Sequence, residues 1–303
     1  MSSYDSSKAE GAEARGGSLA LADTGVSPPV GSGEGPDTEG AGAVATTAIP
    51  SARRRLLVVG FGVAVFGLWE LGAAVGILHP LIVPAPSDII ATIPEVVGAE
   101  YFLPNVRITF FEILAGFVLA AVIALALAIL VARWEAARVT IYPYIIAVQS
   151  VPKIVFTPIF ITWFGFGPSS KVVNAIVIAF FPLFINAMAG LMQVDRDAVR
   201  LLRSLTASQR QVFMKLLLPG AMPQILTGVR LCWTNAVIGV IVAEFIGASA
   251  GIGYLITLFN FQLQIARVFV LILMLSIFTV TVYKLIEAIE KRVCSWAYEG
   301  HAG

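Results

Sequence analysis

Charge is scarce in this chain. Of 303 residues only 13% are charged and 58% are apolar, with a mean hydropathy of +0.87. A soluble domain carries about 25% charged residues. The deficit excludes an ordinary water-soluble globule and points to a surface that faces lipid. Lys and Arg number 20 against 19 Asp and Glu, a net charge of +1 that gives no overall attraction to nucleic acid. The two cysteines, Cys232 and Cys294, form no CxxC pair, and the two histidines, His79 and His301, join no ligand cluster. A disulfide framework and a metal site are therefore not expected. No GxxxxGK[ST] string occurs, so any ATP-driven work needs a separate chain. Within the apolar runs there is no His pair, no GxSxG-type serine and no pair of aspartates. Asp195 and Asp197 fall in a basic loop and Asp88 lies outside the runs, which argues against an intramembrane enzyme.

What the chain does have is long apolar runs. A bilayer core about 30 Å thick needs roughly 20 helical residues to cross it. Six spans are expected, at about Leu56–Leu78, Ile108–Ala132, Ile141–Phe164, Val172–Leu191, Gln224–Ile246 and Val268–Ile289. The third is interrupted by Pro152, Lys153 and Pro158, and Lys284 in the sixth is placed to reach the interface. Residues 1–52 are rich in Gly, Ala, Ser and Glu, without periodicity. They read as a disordered tail that cannot bury enough apolar surface to offset its ordering entropy. Residues 53–292 form the membrane domain and 293–303 a short C-terminal tail.

Basic residues orient the spans. With the N-terminus inside, the inner flanks hold Arg53, Arg54, Arg55, Arg133 and Arg138, then Arg196, Arg200, Arg203, Arg210 and Lys215, and last Lys291 and Arg292. The outer flanks hold only Arg107, Lys171 and Arg267. The positive-inside rule then puts both termini and the loop 192–222 in the cytoplasm. No inverted or tandem repeat is visible, which weighs against the common secondary-carrier folds.

The loop 192–222 is too long and too patterned for a connector. Ala198, Leu201, Leu202 and Leu205 recur at i, i+3, i+4 and i+7, one face of a helix, with Arg196, Arg200 and Arg203 on the other. Ser208 and Gln211 have capping-box spacing, so a second helix starts there and runs through Val212, Phe213, Leu216 and Leu217 to Pro219. The residues alone allow an amphipathic pair lying on lipid headgroups or a docking element for a cytoplasmic motor.

The loop resembles the cytoplasmic "EAA" loop of permease subunits of bacterial ABC importers, which reads E-A-A, three residues, Gly, nine residues, then I-x-L-P. Counting back from Leu218-Pro219 puts Leu216 at the Ile, Thr206 at the Gly, and Arg200-Leu201-Leu202 at the Glu-Ala-Ala. Arg203-Ser204-Leu205-Thr206-Ala207-Ser208 is similar to the family's R-S-L-G-A-S. The likeness extends over about residues 69–290 and is nearest the nitrate/sulfonate/taurine branch. It is carried by Trp69-Glu70, by Val83 through Ser87, by Gly116-Phe117 and by Pro152-Lys153 with the run from Pro158 to Gly167. Phe180-Phe181-Pro182 with Asn186, and Ala243-Glu244-Phe245 with Gly251-Ile252-Gly253, complete it.

The resemblance implies an all-α integral membrane fold of six transmembrane helices, a type I ABC importer permease core with a cytoplasmic coupling loop. It implies that two copies pair as a homodimer in the plasma membrane and that an ABC ATPase dimer docks on the loops. ATP-Mg is then bound by that partner and no cofactor by this chain. An external binding protein delivers a small solute such as a sulfonate, nitrate, an aromatic acid or a vitamin precursor. The chain itself is not an enzyme, and its partners are these proteins and membrane lipid, with no nucleic acid. Two departures stand out: Arg200 reverses the family's Glu, and Thr206 replaces its turn Gly, a left-handed position that costs a non-glycine residue about 1 kcal/mol or more.

Intramembrane polar residues are costly and so informative. Asn186 and Asn235 are candidates for helix–helix hydrogen bonds or for lining the translocation path. Glu244, near the outer surface, is a candidate cap of the outer loop or gate at the mouth. Glu70 is a candidate for interhelical bonding or pairing with Lys153, and Gly247, Gly251 and Gly253 for an outer turn or re-entrant segment. The competing function is a stand-alone ion-coupled carrier or channel, which needs more buried titratable groups than Glu70, Lys153 and Glu244 provide.

Overall fold

A computed structural model describes residues 51–296. Most of the expected tail 1–52 and of the tail 293–303 lies outside the described residues. Chain contacts separate Met1–Arg53 from Arg54–Gly303, and the architecture described is that of the second unit.

The described residues are helical, with no strand among them. In chain order the helices are α1 (Ser51–Ala74), α2 (Pro86–Gly98), α3 (Phe102–Arg133), α4 (Glu135–Gln149), α5 (Thr157–Phe164) and α6 (Pro168–Met192). They continue with α7 (Arg196–Ser204), α8 (Gln209–Val212), α9 (Leu218–Gly247), α10 (Ile252–Phe261) and α11 (Ile265–Val293). A 3₁₀ turn, Lys153–Phe156, precedes α5, and one π turn, Phe213–Leu217, joins α8 to α9.

Five helical stretches are long and apolar enough to cross a membrane, and a sixth is counted if α4 with the 3₁₀ turn and α5 forms one broken span. That pair bends by 83°. The break falls where the sequence placed it, because the residue before a proline is pushed out of helical backbone and Pro152 offers no N–H. Two boundaries differ from expectation, and the glycine-rich segment takes the turn form of the two expected for it. The first span ends at Ala74, not Leu78. The fifth does not begin at Gln224, since the helix is continuous from Gln209 to Gly247. The glycine-rich outer segment is a turn followed by α10, an apolar helix of 10 residues, too short to span.

The core is α3, α6 and α9, held by small residues rather than large ones. In lipid there is little hydrophobic drive between helices, so close backbone approach supplies the packing energy. Gly116, Ala120, Ala124 and Ala128 on α3 recur every four residues and are buried. A Cβ at Gly116 would sit 2.5 Å from Ala175 Cβ on α6. α9 also approaches α6 closely: a Cβ at Gly239 would lie 2.6 Å from Ala175 Cα, and one at Gly228 2.9 Å from Asn186 Cβ. Trp233 fills the remaining space, with Phe117 and Phe278 edge-on at 5.5 and 5.6 Å, and its indole N–H donates to Thr279 O at 3.0 Å. A second cluster on α2, α10 and α11, including Val96, Leu255, Phe259 and Leu271, closes the end away from the loop 192–222.

Candidate functional site

The loop between α6 and α9 is built by local hydrogen bonds at each turn. Asp195 caps α7, its Oδ1 accepting from Asp197 N at 2.8 Å. At the other end Ala207 N donates to Leu202 O and Thr206 N to Arg203 O, both at 3.0 Å. This is the Schellman arrangement, whose closing residue is left-handed and is usually Gly. Here it is Thr206, with φ +62°. The turn is therefore left-handed in spite of the strain of a branched side chain. Ser208 then opens α8 with both arms of the capping box: its Oγ accepts from Gln211 N at 3.3 Å, and Gln211 Oε1 accepts from Ser208 N at 2.8 Å.

Two short helices were expected before the fifth span, with a stop at Pro219. Instead α8 passes through the π turn straight into α9. Leu218 N donates to Phe213 O, the wider π pattern, immediately before Pro219, which has no N–H to give. The extra residue absorbs the proline without breaking the rod. At about 1.5 Å per residue the 39 residues from Gln209 to Gly247 make one lever of about 58 Å. Val212, near the start of this rod, is buried, while Leu218 and Pro219 are half-buried.

The tip is apolar and bare. Leu201 is 61% and Leu205 68% exposed, while Leu202 and Ala207 are half-buried and Arg203 and Ser204 exposed. Ser204 Oγ donates to Leu201 O at 2.7 Å. Arg200, at the family's Glu position, pairs with Asp197 at 3.0 Å in an exposed contact worth little by itself. The sequence residues of the loop, Arg200 through Ser208, are thus gathered on one compact projection.

At the opposite end of α9 a buried polar knot joins α3, α9 and the start of α10. Glu244 is 1% exposed, accepts from Thr109 Oγ1 at 2.6 Å and from Gly253 N at 2.5 Å. Thr109 Oγ1 in turn accepts from Ile252 N at 2.7 Å, and Asn105 Oδ1 accepts from Gly251 N at 2.6 Å. The first N–H groups of α10 are thereby satisfied by side chains, the requirement of any buried helix start. Gly251 has φ +117° and, like Gly253, lies so close to the Glu244 side chain that a Cβ would collide with it. Glu244 has the geometry of a cap of this outer turn.

The other membrane polar groups also bond locally. Asn186 and Asn235 each donate to the carbonyl four residues back, Pro182 O at 2.7 Å and Leu231 O at 2.8 Å, rather than to another helix. Both are half-buried. Glu70 bonds between helices but not to Lys153. It caps α2, accepting from Ser87 Oγ at 2.6 Å and Ser87 N at 3.1 Å. Lys153 instead donates to Gln149 O at 2.8 Å and lies 4.7 Å from the Phe181 ring centre. Lys284 pairs with Glu287 at 2.8 Å.

Three charged groups went unread in the sequence. Glu112, fully buried, lies 3.7 Å from Lys171 Nζ, which also donates to Phe166 O at 2.8 Å and Gly167 O at 3.2 Å. Lys171 is thus no flank residue facing water. Arg230 pairs with Glu290 at 2.9 Å and ties α9 to α11. The signal was present, since Glu112 and Arg230 fall inside apolar runs, but each partner is distant in sequence. The string Gly247-Ala248-Ser249-Ala250-Gly251 has GxSxG spacing just past the fifth run. Ser249 is exposed in a turn after a helix, and His79, the one histidine described, accepts from Leu81 N. No nucleophile-and-base pair results, and no metal-ligand group occurs among the described residues.

Comparison with known proteins agrees with this architecture. The model for the "binding-protein-dependent transport system inner membrane component" family matches residues 124–294, which include the whole loop. The formylaminopyrimidine transport permease protein ThiX of Halalkalibacterium halodurans is 31% identical over 229 residues, 76% of this chain and 91% of that protein. The putative aliphatic sulfonates transport permease protein SsuC of Bacillus subtilis is 29% identical over 238 residues, 78% and 86% of the two chains. The taurine transport system permease protein TauC of Escherichia coli is 25% identical over 252 residues, 82% and 92%. A chain of the inward-facing MetNI methionine ABC transporter matches with a TM-score of 0.50 at 17% identity, covering 69% of this chain and 98% of that one, a likeness of fold alone. A polytopic helical core, a capped loop on one side and these relatives together place the chain: it belongs to the binding-protein-dependent transport system inner membrane component family, the membrane-embedded permeases of ABC transporters.

Proposed function

We propose that this chain is the permease subunit of an importer driven by a separate ATPase, with the loop 192–222 as the coupling element on the cytoplasmic side. Two copies form the pathway, an ATPase dimer that binds ATP-Mg docks beneath, and an external binding protein supplies the solute. The observation that carries the reading is the unbroken helix from the capped start of α8 to Gly247. A force on the loop tip is delivered along that lever, without a flexible joint, to the outer turn held by Glu244. Because α9 packs on α6 at backbone distance, the pair moves as one body.

The relatives' names favour a small solute of the sulfonate, taurine or pyrimidine type. Bare Leu201 and Leu205 supply an apolar contact for the ATPase. Alternating access follows if nucleotide closure of the ATPases pulls the two loops together and swings α6 and α9. The test is reconstitution of the permease with its ATPase and binding protein in proteoliposomes. Uptake is expected to need ATP and the loaded binding protein, which also stimulates hydrolysis. Accumulation driven by a proton or sodium gradient with no ATPase present would sink the reading and favour the stand-alone carrier.

A further inference from the structure

Between the loop and the ends of α3 and α6 lies a cavity of about 650 Å³ whose polar lining is dominated by five arginines, Arg133, Arg138, Arg200, Arg203 and Arg210. No acidic side chain lines it. Arg200 is paired with Asp197, and Arg138 donates through Nη2 to Ala132 O at 3.2 Å. The Nε of Arg138 is buried with no hydrogen-bond partner among the described residues, and Arg133, Arg203 and Arg210 have no ion pair there. The rest of the wall is apolar and includes Leu191, Met192, Val199, Phe213 and Leu217. Like-charged groups crowded in one recess repel, so the arrangement calls for an anion.

The recess sits where spans end. Arg133 is the last residue of α3, Met192 the last of α6, and Leu217 leads into α9. Trp134, 60% exposed, follows Arg133, and tryptophan is the residue that favours the headgroup level of a bilayer. The bare tip with Leu201 and Leu205 is the surface offered to a protein partner, whereas this recess opens among span ends. We propose that it binds the headgroup of an anionic phospholipid from the adjoining leaflet. The lipid phosphate is met by Arg133, Arg138 and Arg210, and the first acyl segment lies on the apolar wall. The charge reversal at Arg200 then has a use inside the chain, as part of the positive lining, that needs no matching change in an ATPase. The site depends on the membrane placement of the spans and not on the coupling role.

The test uses the full-length protein purified alone in detergent and titrated with phosphatidylglycerol or phosphatidylcholine, with bound lipid counted by native mass spectrometry. Wild type is expected to hold phosphatidylglycerol in preference. In the double variant R133Q/R138Q the apparent affinity for it is expected to fall about thirtyfold, from two lost cations at the interface, while R133K/R138K keeps most of it. If the double variant does not fold, R210Q on exposed α8 is expected to show a fall of about fivefold. Equal retention of both lipids by wild type, or unchanged phosphatidylglycerol retention in the Gln variants, overturns the site. So does displacement of the lipid by millimolar inorganic phosphate, which means a simple anion site. Loss of ATPase assembly in R133Q/R138Q with lipid retention intact also overturns it, in favour of a protein-docking face. Since no ATPase or binding protein is present in the lipid titration, its outcome is separate from that of the transport reading.

Discussion

Replacing Glu244 by Ala separates a cap from a gate. The carboxylate accepts the Thr109 hydroxyl and the Gly253 N–H at 2.6 and 2.5 Å in a site that is 1% exposed. A buried hydrogen bond contributes about 0.5–1.5 kcal/mol net, and a donor left unpaired in a buried site costs about 1–3 kcal/mol. Losing two such bonds, with partial rescue by Thr109 turning to another acceptor, gives an expected loss of about 3–5 kcal/mol. For a domain of this size about 1 kcal/mol shifts the melting temperature by roughly 2–4 °C, so a drop of about 6 °C or more is expected. Glu244→Gln keeps one acceptor and is expected to lose about half as much. Thermal unfolding of the purified protein by differential scanning fluorimetry reads this directly. Thr109→Val, alone and combined with Glu244→Ala, closes a double-mutant cycle whose coupling is expected to exceed about 1 kcal/mol. An unchanged melting temperature in Glu244→Ala, with transport alone impaired, would refute the cap and restore the gate.

Three further outcomes follow from the packing and the caps. Gly239→Leu is expected to prevent correct assembly of α6 on α9, read as aggregation on size-exclusion chromatography, because its Cβ meets the Ala175 backbone at 2.6 Å. Ser208→Ala removes half of the capping box at an expected cost of about 1 kcal/mol, visible as roughly fivefold faster amide exchange over 209–212 with little change elsewhere. Thr206→Gly relieves the left-handed strain at φ +62° and is expected to retain transport with no loss of melting temperature. A fall of several degrees in that variant would show that the threonine side chain holds the turn.

The loop was legible because its signals are local. The Ser208–Gln211 capping box and the i, i+3, i+4, i+7 spacing from Ala198 specify helix starts and faces within a few residues, and both are found where read. Pro219 misled because proline usually ends a helix, whereas at the first turn of α9, after a widened π turn, its missing N–H is not required. The break around Pro152 was legible, but its 83° angle depends on what α5 packs against, including the bond from Thr157 to Asn174 on α6. The ion pairs Glu112–Lys171 and Arg230–Glu290 join residues 59 and 60 positions apart, and nothing local to either member names its partner. For the same reason, the bond from Gly253 N to Glu244 was not legible, since it forms only when α10 folds back onto α9.

The central claim, that the capped loop transmits ATPase motion to the spans, is tested most directly with Leu205→Glu. This substitution puts a charge on the bare apolar tip and touches no buried contact. The measurement is solute taken up per ATP hydrolysed in proteoliposomes holding the permease, its ATPase and the loaded binding protein. That ratio is expected to fall about tenfold or more, the scale of a lost coupling free energy, while the melting temperature of the permease stays unchanged. A wild-type ratio in Leu205→Glu would contradict the account.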